Sequence, residues 1–254
     1  MKLSVQTFTI RKQLQTNRGI EASFKKLGEM GVEAVELARI GFSKNEIQSV
    51  KEASNKHNVE IGSTQITYDF LVKNFDWVIE FHKILDCKYT CVSVLPTKYI
   101  LGNEKKLLAF SHELNELGKR FLKEGIYLLY HHHHFEFRKY GNRLGFDVLS
   151  EALNQEYVGF VLDTYWLQRG GKSPQDFIEK YAGKVKVVHL RDFKLNWKPF
   201  NLLPNDTELG NGNLDFKKIK EACIRSGVLY AAIEQDTKTP FESLEQSINY
   251  YRTI

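Results

Sequence analysis

Acidic residues and histidines gather in five short stretches of this chain, each closing an apolar run. They are Val35-Glu36-Leu37, the run from Tyr130 through His131, His132, His133 and His134 to Glu136, then Leu162-Asp163-Thr164, Val188 to Asp192, and Ile233 to Asp236. Two glutamates, an aspartate and a histidine drawn from separate strands make an oxygen-rich, thiolate-free cage. Such a cage suits one divalent ion, Mn²⁺ first and Mg²⁺, Co²⁺ or Zn²⁺ after it, rather than a structural zinc. A metal held there polarises a carbonyl or hydroxyl, and a carboxylate beside it moves a proton.

Several members have plainer readings. On a strand of period two, His131 and His133 share one face and His132 and His134 the other, so only one pair looks inward while the strand lasts. Glu36 reads equally well as a satisfied buried acid. Asp192 and Asp236 follow the cage residues by a step or two and either orient them or belong to loops. His57, His82 and His112 fall in helical stretches and are expected at the surface or at helix caps.

The stretches share one position in a larger pattern. Strand candidates run over 3–9, 34–37, 60–64, 89–94, 127–133, 158–162, 185–189 and 231–234, with amphipathic helical segments such as 23–30, 45–56, 105–123, 215–226 and 240–251 between them. Gly31, Asn58, Gly125, Gly183 and Gly227 stand just before strands, as left-handed helix stops do. Apolar strands separated by helices imply a parallel sheet covered on its outer face. Eight such units in 254 residues match the ~250 residues typical of a (β/α)8 barrel, where polar groups at the strand C-termini line the active-site mouth. A doubly wound open sheet is the alternative, but no glycine-rich turn follows the first strand. With no linker or low-complexity tract, one catalytic domain over 1–254 is expected.

The bulk composition narrows the partners. Hydrophobic residues at 42% and charged residues at 26% are those of an ordinary globular chain. The net charge of +5 is spread out, and pairs such as Lys105-Lys106 and Lys217-Lys218 fall in helices, so no nucleic-acid footprint is expected. Cys87, Cys91 and Cys223 match no common zinc spacing and read as buried thiols in a reducing compartment. No export segment and no apolar stretch of ~20 residues is found, which makes a cytoplasmic location, away from membranes, the expectation. The outer helices offer a surface for a homodimer.

Taken in order, the motifs resemble the sugar-phosphate isomerase/epimerase superfamily, the xylose-isomerase-like barrels that include D-tagatose 3-epimerase and inosose dehydratase. The matching pieces are Val5 to Arg11, Ala34 to Leu37, Tyr130 to Phe137, Leu162 to Trp166 with Gly170-Gly171, Val188 to Asp192, Leu209 to Phe216, and Glu234-Gln235-Asp236. The resemblance implies a sugar or keto-sugar substrate and a metal held by one residue from each of strands five to eight. By position these are Glu136, Asp163, His189 and Glu234, with His131 as the alternative on strand five. It implies Glu136 or Glu234 as the base that removes a proton α to a carbonyl, leading through an enediolate to isomerisation or epimerisation. Loss of a β-hydroxyl instead gives an inosose-dehydratase-type lyase, and a barrel without turnover gives a sugar-binding protein. His131, His133, Trp166, Arg191 and Glu36 are the expected substrate contacts. Trp166 stands where many epimerases carry a histidine and suggests a stacking wall. Arg191 replaces a lysine and offers a planar fork of donors. The multi-zinc endonucleases of the superfamily need a larger histidine and acid set than this chain supplies.

Overall fold

A computed structural model describes residues 1–195 and 203–254. Its eight long strands are β1 (Lys2–Gln6), β2 (Ala34–Leu37), β3 (Glu60–Ile66), β4 (Tyr89–Val92), β5 (Tyr127–His131), β6 (Val158–Asp163), β7 (Val185–Leu190) and β8 (Tyr230–Ile233). All pair in parallel with their sequence neighbours, and β8 closes on β1 through the register Lys2↔Tyr230 to Val5↔Ile233. At least one helix follows each strand. This is the closed (β/α)8 barrel that the alternation of apolar runs and helices implies.

The core has two parts because each strand is apolar on both faces. Outward residues such as Phe160, Leu162, Val188 and Leu190 pack in one large cluster with the helices. Cys91, Leu129, Val161, Val187 and Ala232, from five successive strands, form a separate small cluster inside the barrel, with Tyr89, Tyr127 and Tyr230 packed against it. The five expected helix stops all adopt left-handed backbone, with φ between 54° at Asn58 and 78° at Gly183. Cys87, Cys91 and Cys223 are buried and free. Among the described residues no helix is long and apolar enough to cross a membrane.

Among the strands that end earlier than expected, β1 and β5 have endings that shape the mouth. β1 stops at Gln6, and residues Thr7–Ile10 turn as a 3₁₀ helix. There the Gln6 side chain accepts from Phe8 N, while the Thr7 hydroxyl bonds both Ala38 O (2.8 Å) and Ala38 N (2.7 Å), so side chains replace ladder partners. β5 stops at His131 because the Glu136 carboxylate reaches back to accept from His133 N at 2.9 Å, which pulls the chain into a turn.

His82 is a correction to the surface expectation, since it is fully buried. Its Nδ1 lies 2.8 Å from Cys87 O and its Nε2 2.9 Å from the Thr64 hydroxyl, which in turn meets Thr90. Donation from Nδ1 to the carbonyl leaves Nε2 to accept, so the ring is held neutral, and burial lowers its pKa to about 4. His57 is partly exposed and pairs with Glu21.

Candidate metal centre and active-site cavity

Strand parity selects the groups that meet at the mouth. Residues two apart on a strand point to the same side. Leu129, Val161, Val187 and Ala232 face the barrel interior, so His131, Asp163, His189 and Glu234 face the same interior one step nearer the C-terminal end. Asp163 and His189 are register partners across β6 and β7. Glu234 lies just past β8 and is held level by its N–H donating to Leu190 O at 3.1 Å.

His131, Asp163 and His189 bring one ligand atom each within 4.8 Å of one another, the one such cluster among the described residues. Asp163 Oδ2 is 3.8 Å from both His131 Nε2 and His189 Nδ1. All three atoms are buried; His131 Nε2 and Asp163 Oδ2 make no hydrogen bond, and His189 Nδ1 meets the Glu234 carboxylate at 2.9 Å. Unpartnered buried polar atoms are costly, and the convergence of these two with His189 Nδ1 on one point calls for a further partner. Ligands of one ion with ~2.1 Å bonds sit roughly 3.4 Å apart at tetrahedral angles, so the spacing fits a divalent cation.

The other face of each ligand is tied down in the sense that metal binding needs. His131 Nδ1 lies 3.0 Å from Ser93 O and must donate, which leaves the Nε2 lone pair free. His189 Nε2 lies 2.6 Å from Glu36 Oε1, so its Nδ1 faces the cluster. Glu36 is itself fixed by the Ser63 hydroxyl at 2.8 Å. Asp163 Oδ1 caps the helix Thr164–Arg169 by accepting from Trp166 N at 2.9 Å, which leaves Oδ2 for the cluster. A carboxylate behind a ligating histidine sets its tautomer and raises its basicity. Burial opposes charge on His189, but Glu36, Asp163 and Glu234 outweigh it and hold its pKa well above the ordinary value. Burial also opposes charge on Asp163, yet His131, His189 and Arg191 hold it well below the usual carboxylate range.

Glu234 Oε2 is 2.9 Å from His189 Nδ1, and its Oε1 is 3.4 Å from Arg191 Nη1. Burial is overcome by His189 and then Arg191, so its pKa is lowered. Arg191 is aimed by Asp206, whose Oδ2 accepts from Nη2 at 2.8 Å and from Nε at 3.1 Å. Asp206 lies on the short ribbon that pairs Asp192–Lys194 with Asn205–Thr207. It carries no local sequence signal, because its role exists only once that ribbon folds over the mouth.

The expected site residues separate into three groups. Asp163, His189, Glu234 and His131 converge, and His133, Trp166 and Arg191 join His131 and Glu234 in lining one cavity of about 650 Å³. Glu136 differs from the expectation: it is fully buried, and its carboxylate accepts from Tyr130 Oη at 2.5 Å and His133 N. It lies five residues past His131, beyond the end of β5, so it shares neither the strand nor the parity of the cluster. Glu36 also differs, standing behind His189 rather than lining the cavity. The signal that singles out His131 was in the sequence, two residues past the apolar interior position Leu129, but it becomes usable only when the strand's inward face is known.

Asp192 and Asp236 serve the loops. The Asp192 carboxylate accepts from the backbone N–H of Phe193, Gly210, Gly212 and Leu214 at 2.9 to 3.3 Å. A Cβ at Gly212 would lie 2.2 Å from Asp192 Oδ1, which is why that loop needs glycine there. Asp236 pairs with Arg11 at 2.8 Å. A larger cavity of about 940 Å³, lined by Lys2, Glu33, Glu60 and Tyr230 among others, opens at the strands' N-terminal ends. It holds none of the converging groups, so the smaller cavity is the candidate site.

Residues 24–254 match the family described as the xylose isomerase-like TIM barrel. The chain belongs to this family. The inosose dehydratase of Clostridium perfringens is 24% identical to it over 256 residues, covering 86% of this chain and 84% of that enzyme. A sugar phosphate isomerase/epimerase from Parabacteroides distasonis superposes with a TM-score of 0.81 at 18% identity, covering 98% of this chain and 97% of that one. The IolI protein with a bound zinc atom superposes with a TM-score of 0.73 at 14% identity, over 100% and 96% of the two chains. Isomerases, epimerases and dehydratases thus surround this family member, and at least one relative of the same fold binds a metal.

Proposed function

We propose that this protein is a metal-dependent isomerase or epimerase of a sugar or keto-sugar that removes the proton α to a carbonyl. The observation that carries the reading is the convergence of three buried ligand atoms, two of them unpartnered, at a cavity whose wall contains an ionised glutamate. His131, Asp163 and His189 would hold the ion, with Glu234 as the fourth group; His131 rather than Glu136 supplies the ligand from β5. The second imidazole moves the donor set away from Mg²⁺ and toward Mn²⁺, Co²⁺ or Zn²⁺. When bound, the ion supplies positive charge that acidifies the α-proton and stabilises the negative charge of the enediolate.

The chain's own groups do the rest. Glu234 is the base: its pKa is low, it lines the cavity, and Arg191 holds one of its oxygens. Trp166, whose ring centroid is 5.1 Å from that of His133, supplies a flat wall for a sugar face. Burial, then the neighbouring His131, lowers the His133 pKa to about 2, so it stays neutral and can exchange hydrogen bonds with hydroxyl groups. Glu136 pins the turn that presents His133. Protonation of the same carbon from the other side by solvent, with the abstracted proton passing from Glu234 to solvent, gives epimerisation, and return of the proton by Glu234 to the neighbouring carbon gives isomerisation.

A second reading, a dehydratase that expels a β-hydroxyl after the same proton abstraction, is favoured by the similarity to inosose dehydratase over 86% of this chain. Incubation with Mn²⁺ and a panel of ketoses, keto-glycosides and inososes in deuterated water tests both. Exchange with retained mass apart from deuterium supports the first reading, and loss of water supports the second. Glu234→Gln should abolish deuterium incorporation while the fold is kept; full exchange in that variant removes Glu234 as the base.

A further inference from the structure

The wall of the cavity opposite Trp166 is built by the ends of β1, β2 and β3, and it presents donors without acceptors to match. Three arginines that follow barrel strands are already engaged. Arg11 pairs with Asp236, Arg138 donates to Ile100 O, Gly102 O and the Tyr140 hydroxyl, and Arg191 holds Asp206 and Glu234. Arg39 lines the cavity and has no hydrogen-bond or ion-pair partner among the described residues.

Its placement is imposed rather than relaxed. Arg39 has φ 60° and Phe42, three residues on, φ 54°, a backbone region that side chains other than glycine's rarely adopt. The loop is held there by Thr7 on Ala38, by Glu46 on Gly41 N at 2.9 Å, and by Trp77 Nε1 on Phe42 O at 2.7 Å. Strain that the surroundings enforce tends to sit where a side chain must be aimed. The Arg39 guanidinium lies 5.4 Å from the centroid of the Phe8 ring, and Arg11 lies 3.8 Å from the same ring. Two cations thus share one ring, and of the two only Arg11 has a carboxylate partner among the described residues, Asp236.

A second donor in the same wall is fixed by logic independent of Arg39. Phe8 N–H is necessarily a donor, so the Gln6 atom it meets is Oε1, and Gln6 Nε2 must be the atom that donates to Gln65 Oε1 at 2.9 Å. That leaves Gln65 Nε2 as a buried donor without a partner, on a residue that lines the cavity. The backbone sets the amide's direction, and the remaining N–H bonds await an acceptor.

We infer that the substrate carries an anionic group, a carboxylate or a phosphate, bound by Arg39 with the Gln65 amide as a second donor in that wall. This deepens the proposed function and rests on it for the end of the substrate that faces His131 and His189. A guanidinium matches the paired oxygens of either anion.

Calorimetric titration of the Mn²⁺-loaded protein with D-fructose, D-fructose 6-phosphate and 5-keto-D-gluconate tests it. At least one of the two anions should bind tenfold or more tightly than D-fructose, and which one does so separates phosphate from carboxylate. Arg39→Gln should erase the preference, and Gln65→Glu, which puts an acceptor in the wall, should weaken the anion further than the neutral sugar. Arg39→Gly, which relaxes the backbone, should also lose the preference without lowering Tm. Equal affinities in the wild type, absence of binding by all three, a preference that survives Arg39→Gln, or a fall in Tm for Arg39→Gly would each overturn the inference. Deuterium exchange at the α carbon is read separately, so failure of the proposed reaction is distinguishable from failure of the anion subsite.

Discussion

Replacing Asp163 by asparagine separates the two duties of that side chain. Oδ1 accepts from Trp166 N and caps a helix, while Oδ2 faces His131 and His189 with no partner. The capped N–H demands an oxygen, so the asparagine must keep Oδ1 in place and turn its NH₂ toward the cluster. The cap survives, and the metal site receives a donor where it needs an anion. Removing a group that merely orients a ligand costs ~10–100-fold in metal affinity. Replacing the ligand itself should then cost at least ~100-fold, or about 2.7 kcal/mol. At Mn²⁺ near 100 times the wild-type Kd, binding stabilises the wild type by ~2.7 kcal/mol, and the variant by only ~0.4 kcal/mol at the same concentration. For a chain of this size that corresponds to a metal-induced rise in Tm of roughly 5–10 °C in the wild type and about 1 °C in the variant. Thermal melts with and without Mn²⁺, together with metal content after dialysis, give the answer. Asp163→Asn retaining the full Tm rise and stoichiometry would refute the assignment of Oδ2 to the ion.

His131→Ala should lower metal content after dialysis and Glu136→Gln should leave it unchanged; the opposite pattern would return the β5 ligand to Glu136. Burial raises the Glu136 pKa from 4.5 to about 8, so the fold favours its protonated form. That contribution to stability is full below the unfolded pKa and is lost as pH rises through about 8, at up to ~1.4 kcal/mol per pH unit. Denaturant melts of metal-free Glu136→Gln should therefore gain on the wild type between pH 5 and 8, and a constant difference would contradict the buried acid. His82 works in the other sense: its pKa falls from 6.5 to about 4, so its contribution is present above the unfolded value and lost as pH falls through the folded one. His82→Gln should flatten the loss of stability on acidification across that window, and an unaltered acid limb would sink the argument.

The barrel was legible because its signals are local. Apolar runs of four to seven residues, amphipathic helices between them and left-handed stops at Gly31, Asn58, Gly125, Gly183 and Gly227 are all read within a few residues of each other. The end of the barrel where the proposed site lies was legible for the same reason, since acids and histidines close five of the strands. His82 was misread because helical position says little about burial when a polar side chain can satisfy both ring nitrogens inside, here on Thr64 and Cys87.

The sequence by itself determined the fold, the end of the barrel where acids and histidines gather and the stock of groups available there, because these depend on periodicity and on short-range order along the chain. Only the tertiary structure decided how those groups are shared out. His131 rather than Glu136 faces the cluster because β5 ends where a carboxylate bends the backbone away, a question of where a strand stops. Glu36 serves His189 across a separation of 153 residues, Asp206 serves Arg191 through a ribbon folded over the mouth, and Arg39 lines the cavity with no ion-pair partner among the described residues. Pairings of this kind depend on distance in space, and chain order carries no record of them until the barrel closes.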